Sequence, residues 1–271
     1  MKFFSKRDIC VLLFGVLLMQ VLSCGLINQF MFHPVKDGYD KLIDGYVDIG
    51  TNGISIAARL IGISKGKKVI IYCHGNAEDI TSIDGRFDEL IGKGYAIATF
   101  DYPGYGLSSG SPDEKGCYRN AHRLYDWLIH DRGYAAKDIV VVGYSIGTGV
   151  AIELAASREV GGLWLEAAYL SAPRVVTRVR LLPIDPFPNY ERINDVKCPI
   201  VILHGTDDSV IPYSHGRKLF DLAPNPKWFI PVDDASHSDF IDRMGPSKYE
   251  KTLFSFVSDG RLDLDMSAER D

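Results

Sequence analysis

The run Ile139-Val140-Val141-Val142-Gly143-Tyr144-Ser145-Ile146-Gly147 decides the fold of this chain. It joins a short apolar segment with strand character to an alanine-rich segment with helix character that continues to Arg158. Gly143 and Gly147 allow a turn tight enough to lift Ser145 above the edge of a sheet. Strand, Gly-x-Ser-x-Gly turn and helix in this order predict a nucleophile at Ser145. Outside that context the serine would be an ordinary helix N-cap.

Short apolar runs alternate with helix-like segments on both sides of this turn. The runs are Lys68–Cys73, Tyr95–Phe100, Ile139–Val142, Leu163–Leu165, Ile200–Leu203 and Trp228–Val232. The helix-like segments are Ile80–Lys93, Asp113–Arg132, Gly147–Arg158, Tyr213–Leu222 and Pro246–Val257. This alternation predicts an α/β fold with a doubly wound, mostly parallel sheet and right-handed crossovers. Before it, Gly45–Ile49 and Ile54–Leu60 predict two antiparallel strands around a turn.

The 271 residues suit one main domain, which we predict at residues 46–258 after a linker at 28–45. Residues 259–271 are rich in acidic and polar side chains and predict a flexible tail. The interval 167–192 contains four prolines and has no clear period. Since it follows the carboxyl end of a strand, we interpret it as a short cap over a ligand crevice; a plain surface loop is the alternative.

Composition and charge exclude several classes of function. The net charge is −5 and the basic residues are scattered, which argues against nucleic acid as a partner. The five cysteines have no metal-type spacing. The glycine-dense loop Asp101–Gly110 lacks the lysine of a phosphate-binding loop, and we interpret it as packing around the Ser145 turn. We therefore predict no metal and no cofactor.

The N-terminus has the character of a targeting segment. Three basic residues within the first seven precede an apolar run from Ile9 to Leu22, as in a secretory signal. The run ends in Val21-Leu22-Ser23-Cys24, which resembles a bacterial lipobox with lipidation at Cys24. The alternative is an uncleaved anchor that extends to residue 27. Both interpretations of residues 1–27 put the rest of the chain beside a membrane, on its outer face.

A serine nucleophile needs a base, and seven histidines are candidates. We predict His237, because its loop lies between the last strand and the last helix and returns to the catalytic edge of the sheet. His74 opens a loop after a strand and fits the surroundings of an oxyanion hole, whereas His204 ends a strand and fits a brace for the loop that follows. The helical stretches predict solvated imidazoles at His122, His130 and His215, and His33 belongs to the linker.

The base in turn needs a carboxylate that orients it. His204-Gly205-Thr206-Asp207-Asp208 follows a strand, and the residue pattern alone leaves Asp207 and Asp208 both open. An oxyanion needs two N–H donors. We predict the N–H of Ile146, at the start of the helix, and the N–H of Asn76, in the loop after His74.

Five motifs in this order resemble the α/β-hydrolase superfamily: His74-Gly-Asn-Ala, Asp101-Tyr-x-Gly-Tyr-Gly-x-Ser-x-Gly, the Ser145 turn, His204-Gly-Thr-x-Asp and the loop around His237. The order serine, acid, histidine is also that of the family. The chain is most similar to a branch of small membrane-associated hydrolases that includes protein depalmitoylases. The resemblance implies Asp208 as the acid and a small-molecule or lipid-like acyl substrate. The N-terminus of this chain differs from that of the eukaryotic members of this branch, so the resemblance does not extend to protein depalmitoylation.

Three functions remain open at this point. The first is an esterase or thioesterase that forms an acyl-serine intermediate. The second is a serine peptidase of the aminopeptidase type, which would use the same three residues. The third is a non-catalytic binding scaffold tethered to the membrane, although the presence of the full set of site residues argues against it.

Overall fold

The computed structural model divides the chain into two compact units, residues 1–33 and 34–271. It describes residues 28–29, 31–36, 38–62, 68–177, 185–262 and 269–270. In the first unit, the described residues 28, 29 and 31 have helical backbone. The predicted targeting segment, with Cys24, lies outside the described residues. Residues 34–45 of the predicted linker belong to the second unit.

The second unit is built on one sheet. Its strands within the described residues are β1 (Tyr46–Asp48), β2 (Ala57–Ile61), β3 (Val69–Cys73), β4 (Ala96–Phe100), β5 (Ile139–Tyr144), β6 (Gly162–Glu166), β7 (Ile200–Gly205), β8 (Lys227–Val232) and β9 (Glu269–Arg270). Their spatial order is β1-β2-β4-β3-β5-β6-β7-β8-β9. Strands β3 to β8 pair in parallel, and β1, β2 and β9 pair antiparallel. The predicted fold, a doubly wound sheet with antiparallel N-terminal strands, is confirmed.

Helices cover the sheet, and burial on both sides explains the apolar composition of the central strands. Within the described part of this unit, the α-helices are α1 (Asp88–Gly92), α2 (Glu114–His130), α3 (Gly147–Ser157), α4 (Ala172–Thr177), α5 (Asn189–Arg192), α6 (Tyr213–Leu222), α7 (Phe240–Met244) and α8 (Pro246–Asp259). All residues of β3 and β4 are buried. On one side of the sheet, Trp164 of β6 packs against Tyr249 and Phe256 of α8.

Three segments differ in detail from the sequence pattern. The single helix predicted over Ile80–Lys93 is two short pieces, a 3₁₀ turn at Ile80–Ile83 and α1. Gly85 explains the break, because its φ of +75° lies outside the helical region. The predicted cap interval contains α4 and α5, and residues 178–184 between them lie outside the described residues. In the predicted tail, Glu269 pairs with Phe229 and Arg270 pairs with Trp228 at the sheet edge.

Parallel pairing determines where the candidate residues meet. Strands β3, β5, β7 and β8 all run in one direction, so their carboxyl ends share one edge of the sheet. Each of these strands is followed at once by one of the predicted functional loops. In doubly wound α/β folds this edge is the usual position of a ligand site.

Candidate active site

Ser145 occupies a strained turn between β5 and α3. Its φ of +53° is uncommon for a residue with a side chain, and its N–H donates to the main-chain oxygen of Glu166 at 3.0 Å. The turn also needs Gly147, because a Cβ there would lie 2.1 Å from the main-chain oxygen of Cys73. The backbone around Ser145 is therefore held tightly against the two neighbouring strands, β3 and β6.

The imidazole of His237 lies between the Ser145 hydroxyl and the Asp208 carboxylate. His237 Nε2 is 3.0 Å from Ser145 Oγ, and His237 Nδ1 is 2.8 Å from Asp208 Oδ2. An ionised carboxylate only accepts hydrogen bonds, so Nδ1 carries the proton in the neutral ring and Nε2 accepts from the hydroxyl. This is the tautomer that a general base for Ser145 requires.

The two adjacent aspartates have different surroundings. Asp208 is buried, and its Oδ1 accepts the N–H groups of Val210 and Ile211 at 2.9 and 2.8 Å. Asp207 is exposed. Burial alone would raise the pKa of Asp208, but the hydrogen bonds from His204, His237 and Ile211 hold it well below its usual value. Asp208 is therefore the carboxylate that the structure brings to His237.

His204 braces the loop that carries Asp208. Its Nε2–H donates to the main-chain oxygen of Ile211 at 2.9 Å and lies 3.5 Å from Asp208 Oδ2. The two contacts join the start and the end of the loop. His204 thus supports the loop that holds Asp208, whose Oδ2 faces both His204 and His237.

The two predicted oxyanion donors lie in the loops that flank Ser145. Ile146 is the N-cap of α3, and among the described residues no hydrogen bond has its N–H as donor. Asn76 lies in the loop after β3, where Ala77 has a φ of +57°. The side-chain oxygen of Asn76 accepts the hydroxyl of Tyr105 at 2.6 Å. The N–H of Ile146 can therefore bind an anion beside Ser145.

A buried aromatic cluster from the glycine-dense loop supports the loop after β3. Tyr102 and Tyr105 are fully buried, and the Tyr102 hydroxyl donates to the main-chain oxygen of His74 at 2.7 Å. Burial lowers the pKa of His74 to about 4, so its ring is neutral at ordinary pH. Beside it, burial raises the pKa of Asp101 to about 7, although a hydrogen bond from the Tyr39 hydroxyl opposes the shift.

A largely buried ion pair, which the sequence reasoning missed, supports the Ser145 turn from the end of β6. Arg86 contacts the carboxylate of Glu166, which also accepts Trp164 Nε1–H at 2.8 Å and the Tyr249 hydroxyl at 2.5 Å. The main-chain oxygen of the same glutamate holds the N–H of Ser145. The position of Glu166 at the end of an apolar strand could have indicated this ion pair from the sequence, because a carboxylate buried in a core needs a partner.

His122, His130 and His215 are not part of the hydrogen-bonded line of Ser145, His237 and Asp208. His122 pairs with Glu153 at 3.0 Å, and His130 is exposed. The prediction for His215 is wrong: this residue is buried, and the N–H of Leu170 donates to its Nδ1 at 3.4 Å. It lies on the inner face of amphipathic α6, which the composition of the helix alone did not distinguish from the outer face.

The sequence matches those of known proteins along most of its length. The family described as serine aminopeptidase, S33, matches residues 64–190. A protein of Acanthamoeba polyphaga mimivirus whose description is that of an α/β hydrolase is 33% identical over 80% of this chain and 85% of its own. The human α/β hydrolase domain-containing protein 17B is 31% identical over 82% of this chain and 77% of its own.

The chain belongs to the α/β-hydrolase family. Solved α/β-hydrolase structures share the fold: an esterase of Pyrococcus furiosus has a TM-score of 0.68 at 19% identity, covering 84% of this chain and 98% of its own. An esterase of Exiguobacterium antarcticum has a TM-score of 0.61 at 15% identity, covering 80% and 100%. Family membership makes this chain a hydrolase, and a small-molecule substrate follows from the family.

Two further findings concern only the part of this α/β hydrolase that the structure describes. None of its helices there combines the length and the apolar character needed to cross a bilayer. No three His, Cys, Asp or Glu side chains there converge as the ligands of a metal ion do.

Proposed function

We propose that this chain is a serine hydrolase that cleaves carboxylic esters or thioesters through an acyl intermediate on Ser145. One observation carries the proposal: Ser145 Oγ, His237 and Asp208 form a continuous line of hydrogen bonds, 3.0 and 2.8 Å long, at the carboxyl edge of the sheet. A base within hydrogen-bond distance of the nucleophile, itself oriented by a third group, is the arrangement that nucleophilic acyl transfer requires.

In the proposed reaction, Ser145 Oγ attacks the carbonyl carbon while His237 Nε2 takes the hydroxyl proton. The negative charge that develops on the carbonyl oxygen is stabilised by the N–H groups of Ile146 and Asn76. The imidazolium, stabilised by Asp208, then gives its proton to the departing alcohol or thiol as the tetrahedral intermediate collapses. Water repeats the sequence on the acyl-enzyme and releases the acid.

A second candidate, an aminopeptidase acting through the same residues, is supported by the description of the matching family. The two activities differ in the leaving group, because an amine leaves less readily than an alcohol or thiol. We propose the esterase or thioesterase because two carboxylates close to the Ser145 turn are already bonded. Glu78 accepts the N–H of Gly75, and Glu166 pairs with Arg86, so neither is placed as a clamp for a substrate amine.

We also propose that residues 1–27 attach the enzyme to the outer face of a membrane, through a lipid on Cys24 or an uncleaved anchor. The basic start and the apolar run are the support for this. Replacement of Cys24 by alanine tests the lipid directly. If the lipid exists, the variant loses incorporation of labelled palmitate in a bacterial host, whereas unchanged incorporation contradicts it.

Hydrolysis assays on the purified chain test the proposed activity. Acyl p-nitrophenyl esters and acyl thioesters of several chain lengths are compared with amino-acid p-nitroanilides, for the wild type and for Ser145→Ala. We expect turnover of the esters or thioesters that disappears in the variant. Turnover of the anilides alone would favour the peptidase, and activity retained by Ser145→Ala would rule out the proposed mechanism.

A further inference from the structure

The carboxylate of Glu78 closes the loop that contains Asn76. Glu78 Oε2 accepts the N–H of Gly75 at 2.7 Å and lies 3.3 Å from the hydroxyl of Tyr72. The left-handed turn at Ala77 directs the chain back, so that the side chain of residue 78 reaches the main chain of residue 75. The short peptide between these two points is the one that carries the second predicted oxyanion donor.

This loop also lies against the Ser145 turn. A Cβ on Gly75 would be 2.8 Å from Cδ1 of Tyr144, the residue just before the nucleophile, and 3.3 Å from Glu78 Oε2. Small changes in the path of the loop would therefore alter its distance from Ser145 directly. The donor geometry around an oxyanion is demanding, since useful donors lie about 2.7–3.1 Å from the oxygen.

The largely buried Arg86 acts electrostatically on the same carboxylate and also lies near the nucleophile turn. Its guanidinium lies 5.0 Å from the ring centre of Tyr72 and 5.6 Å from that of Tyr144. It pairs with Glu166, whose main-chain oxygen holds Ser145. Burial raises the pKa of Glu78, while the N–H of Gly75 and the charge of Arg86 favour its ionised form. The guanidinium of Arg86 therefore acts on both Glu78, which supports the loop after β3, and Glu166, which supports the Ser145 turn.

We propose that Glu78 is a positioning residue, which fixes the main chain of residues 75–76 so that the N–H of Asn76 faces the oxyanion. The inference rests on the proposed function, because it assigns a task within that reaction. Glu78 touches neither the substrate nor the reacting atoms, and its effect passes through its hydrogen bond to Gly75. That hydrogen bond also engages the N–H of Gly75, so this group does not serve the oxyanion.

Three substitutions separate the hydrogen bond from the charge. Glu78→Gln keeps an acceptor of the same reach, Glu78→Asp keeps the charge but shortens the side chain, and Glu78→Ala removes both. We expect alanine and aspartate to lower kcat about 10- to 100-fold, which is less than the about 10²–10³-fold cost of deleting a donor outright, with KM nearly unchanged. Glutamine should stay within about threefold of the wild type, since a neutral acceptor still holds the loop.

Inhibition by an alkylboronic acid distinguishes a positioning role from a merely structural one, because a merely structural role of Glu78 would leave the inhibition constant unchanged. The boronic acid forms a tetrahedral adduct on an active serine, so its affinity follows the oxyanion site more closely than KM does. We expect its inhibition constant to rise in Glu78→Ala by about the factor by which kcat falls. Glu159→Ala, at an exposed glutamate, is the matched control and should change neither value.

Thermal unfolding establishes that each variant is folded before its kinetics are compared. If the alanine variant does not fold, the aspartate and glutamine pair decides the question. Wild-type kcat in Glu78→Asp or Glu78→Ala, or an equal loss in Glu78→Gln, would overturn the positioning role. A wild-type protein without Ser145-dependent turnover would instead overturn the proposed function, so the two failures are distinguishable.

Discussion

Replacement of Asp208 by asparagine places a hydrogen-bond donor, instead of an acceptor, opposite Nδ1 of the proposed base His237. The size of the side chain at position 208 stays the same. Asp208 Oδ1 accepts two main-chain N–H groups, from Val210 and Ile211. The asparagine carbonyl must take that position, because an amide nitrogen there would face two donors. Its NH₂ group then points at His237 Nδ1, where the carboxylate oxygen lies at 2.8 Å in the native chain.

This geometry determines the size of the effect. A donor opposite Nδ1 forces the imidazole proton onto Nε2, which then cannot accept the proton of Ser145. The same exchange of acid for amide lowers kcat about 10⁴-fold in the best-studied serine protease triad, which corresponds to about 5 kcal/mol in the barrier. We expect a loss of that order in Asp208→Asn, with little change in thermal stability, because the packing and the two main-chain contacts remain.

Steady-state hydrolysis of a p-nitrophenyl ester measures this loss. Asp207→Asn is the matched control: it makes the same chemical change one residue earlier, at an exposed side chain, and should stay within about threefold of the wild type. If Asp208→Asn retains more than about a tenth of the activity, or if Asp207→Asn loses as much, the assignment of Asp208 to the triad is wrong.

Three further changes test other parts of the account. Gly147→Ala would place a Cβ 2.1 Å from a main-chain oxygen and should abolish ester turnover, whereas Gly92→Ala, with open space around it, should be silent in the same assay. Arg86→Met should cost about 3–5 kcal/mol in urea unfolding, because it leaves a buried carboxylate unpaired, and adding Glu166→Gln should recover part of the loss; an additive double variant would contradict this. The raised pKa of Asp101, about 7, means that the native state keeps a proton that the unfolded chain releases near pH 4. Its contribution to stability is therefore lost as pH rises through that window, by about 1.4 kcal/mol per pH unit. Asp101→Asn should gain stability relative to the wild type between pH 5 and pH 8, and a constant difference in urea unfolding across this range would contradict the shift.

Much of the fold could be predicted from the sequence because each central strand is a dense apolar run bounded by turn residues. The convergence of the serine, acid and histidine loops then follows from parallel pairing, which brings the carboxyl ends of β3, β5, β7 and β8 to one edge. The strands were therefore located within a few residues. The prediction of a single helix over Ile80–Lys93 was wrong because Gly85 interrupts it. Apolar periodicity does not take such a glycine into account.

Side-chain partners that depend on the tertiary structure could not be predicted in this way. The sequence pattern left Asp207 and Asp208 equivalent, because only the direction of each side chain from the loop distinguishes them. The sequence pattern did not single out Glu78 or Arg86. The partner of Arg86 is Glu166, 80 residues further along the chain, and the contact of Glu78 with Gly75 depends on the turn between them. His215 was assigned to solvent, although it lies on the inner face of its helix.

The central claim is that Ser145 carries the acyl group during turnover, and trapping that intermediate tests it most directly. The enzyme is mixed with an excess of a p-nitrophenyl ester, quenched in acid within the first turnovers and digested for peptide mass spectrometry. The account predicts one added acyl group on the peptide that contains Ser145 and none in Ser145→Ala. An acyl group on another residue, or ester turnover by Ser145→Ala, would contradict it.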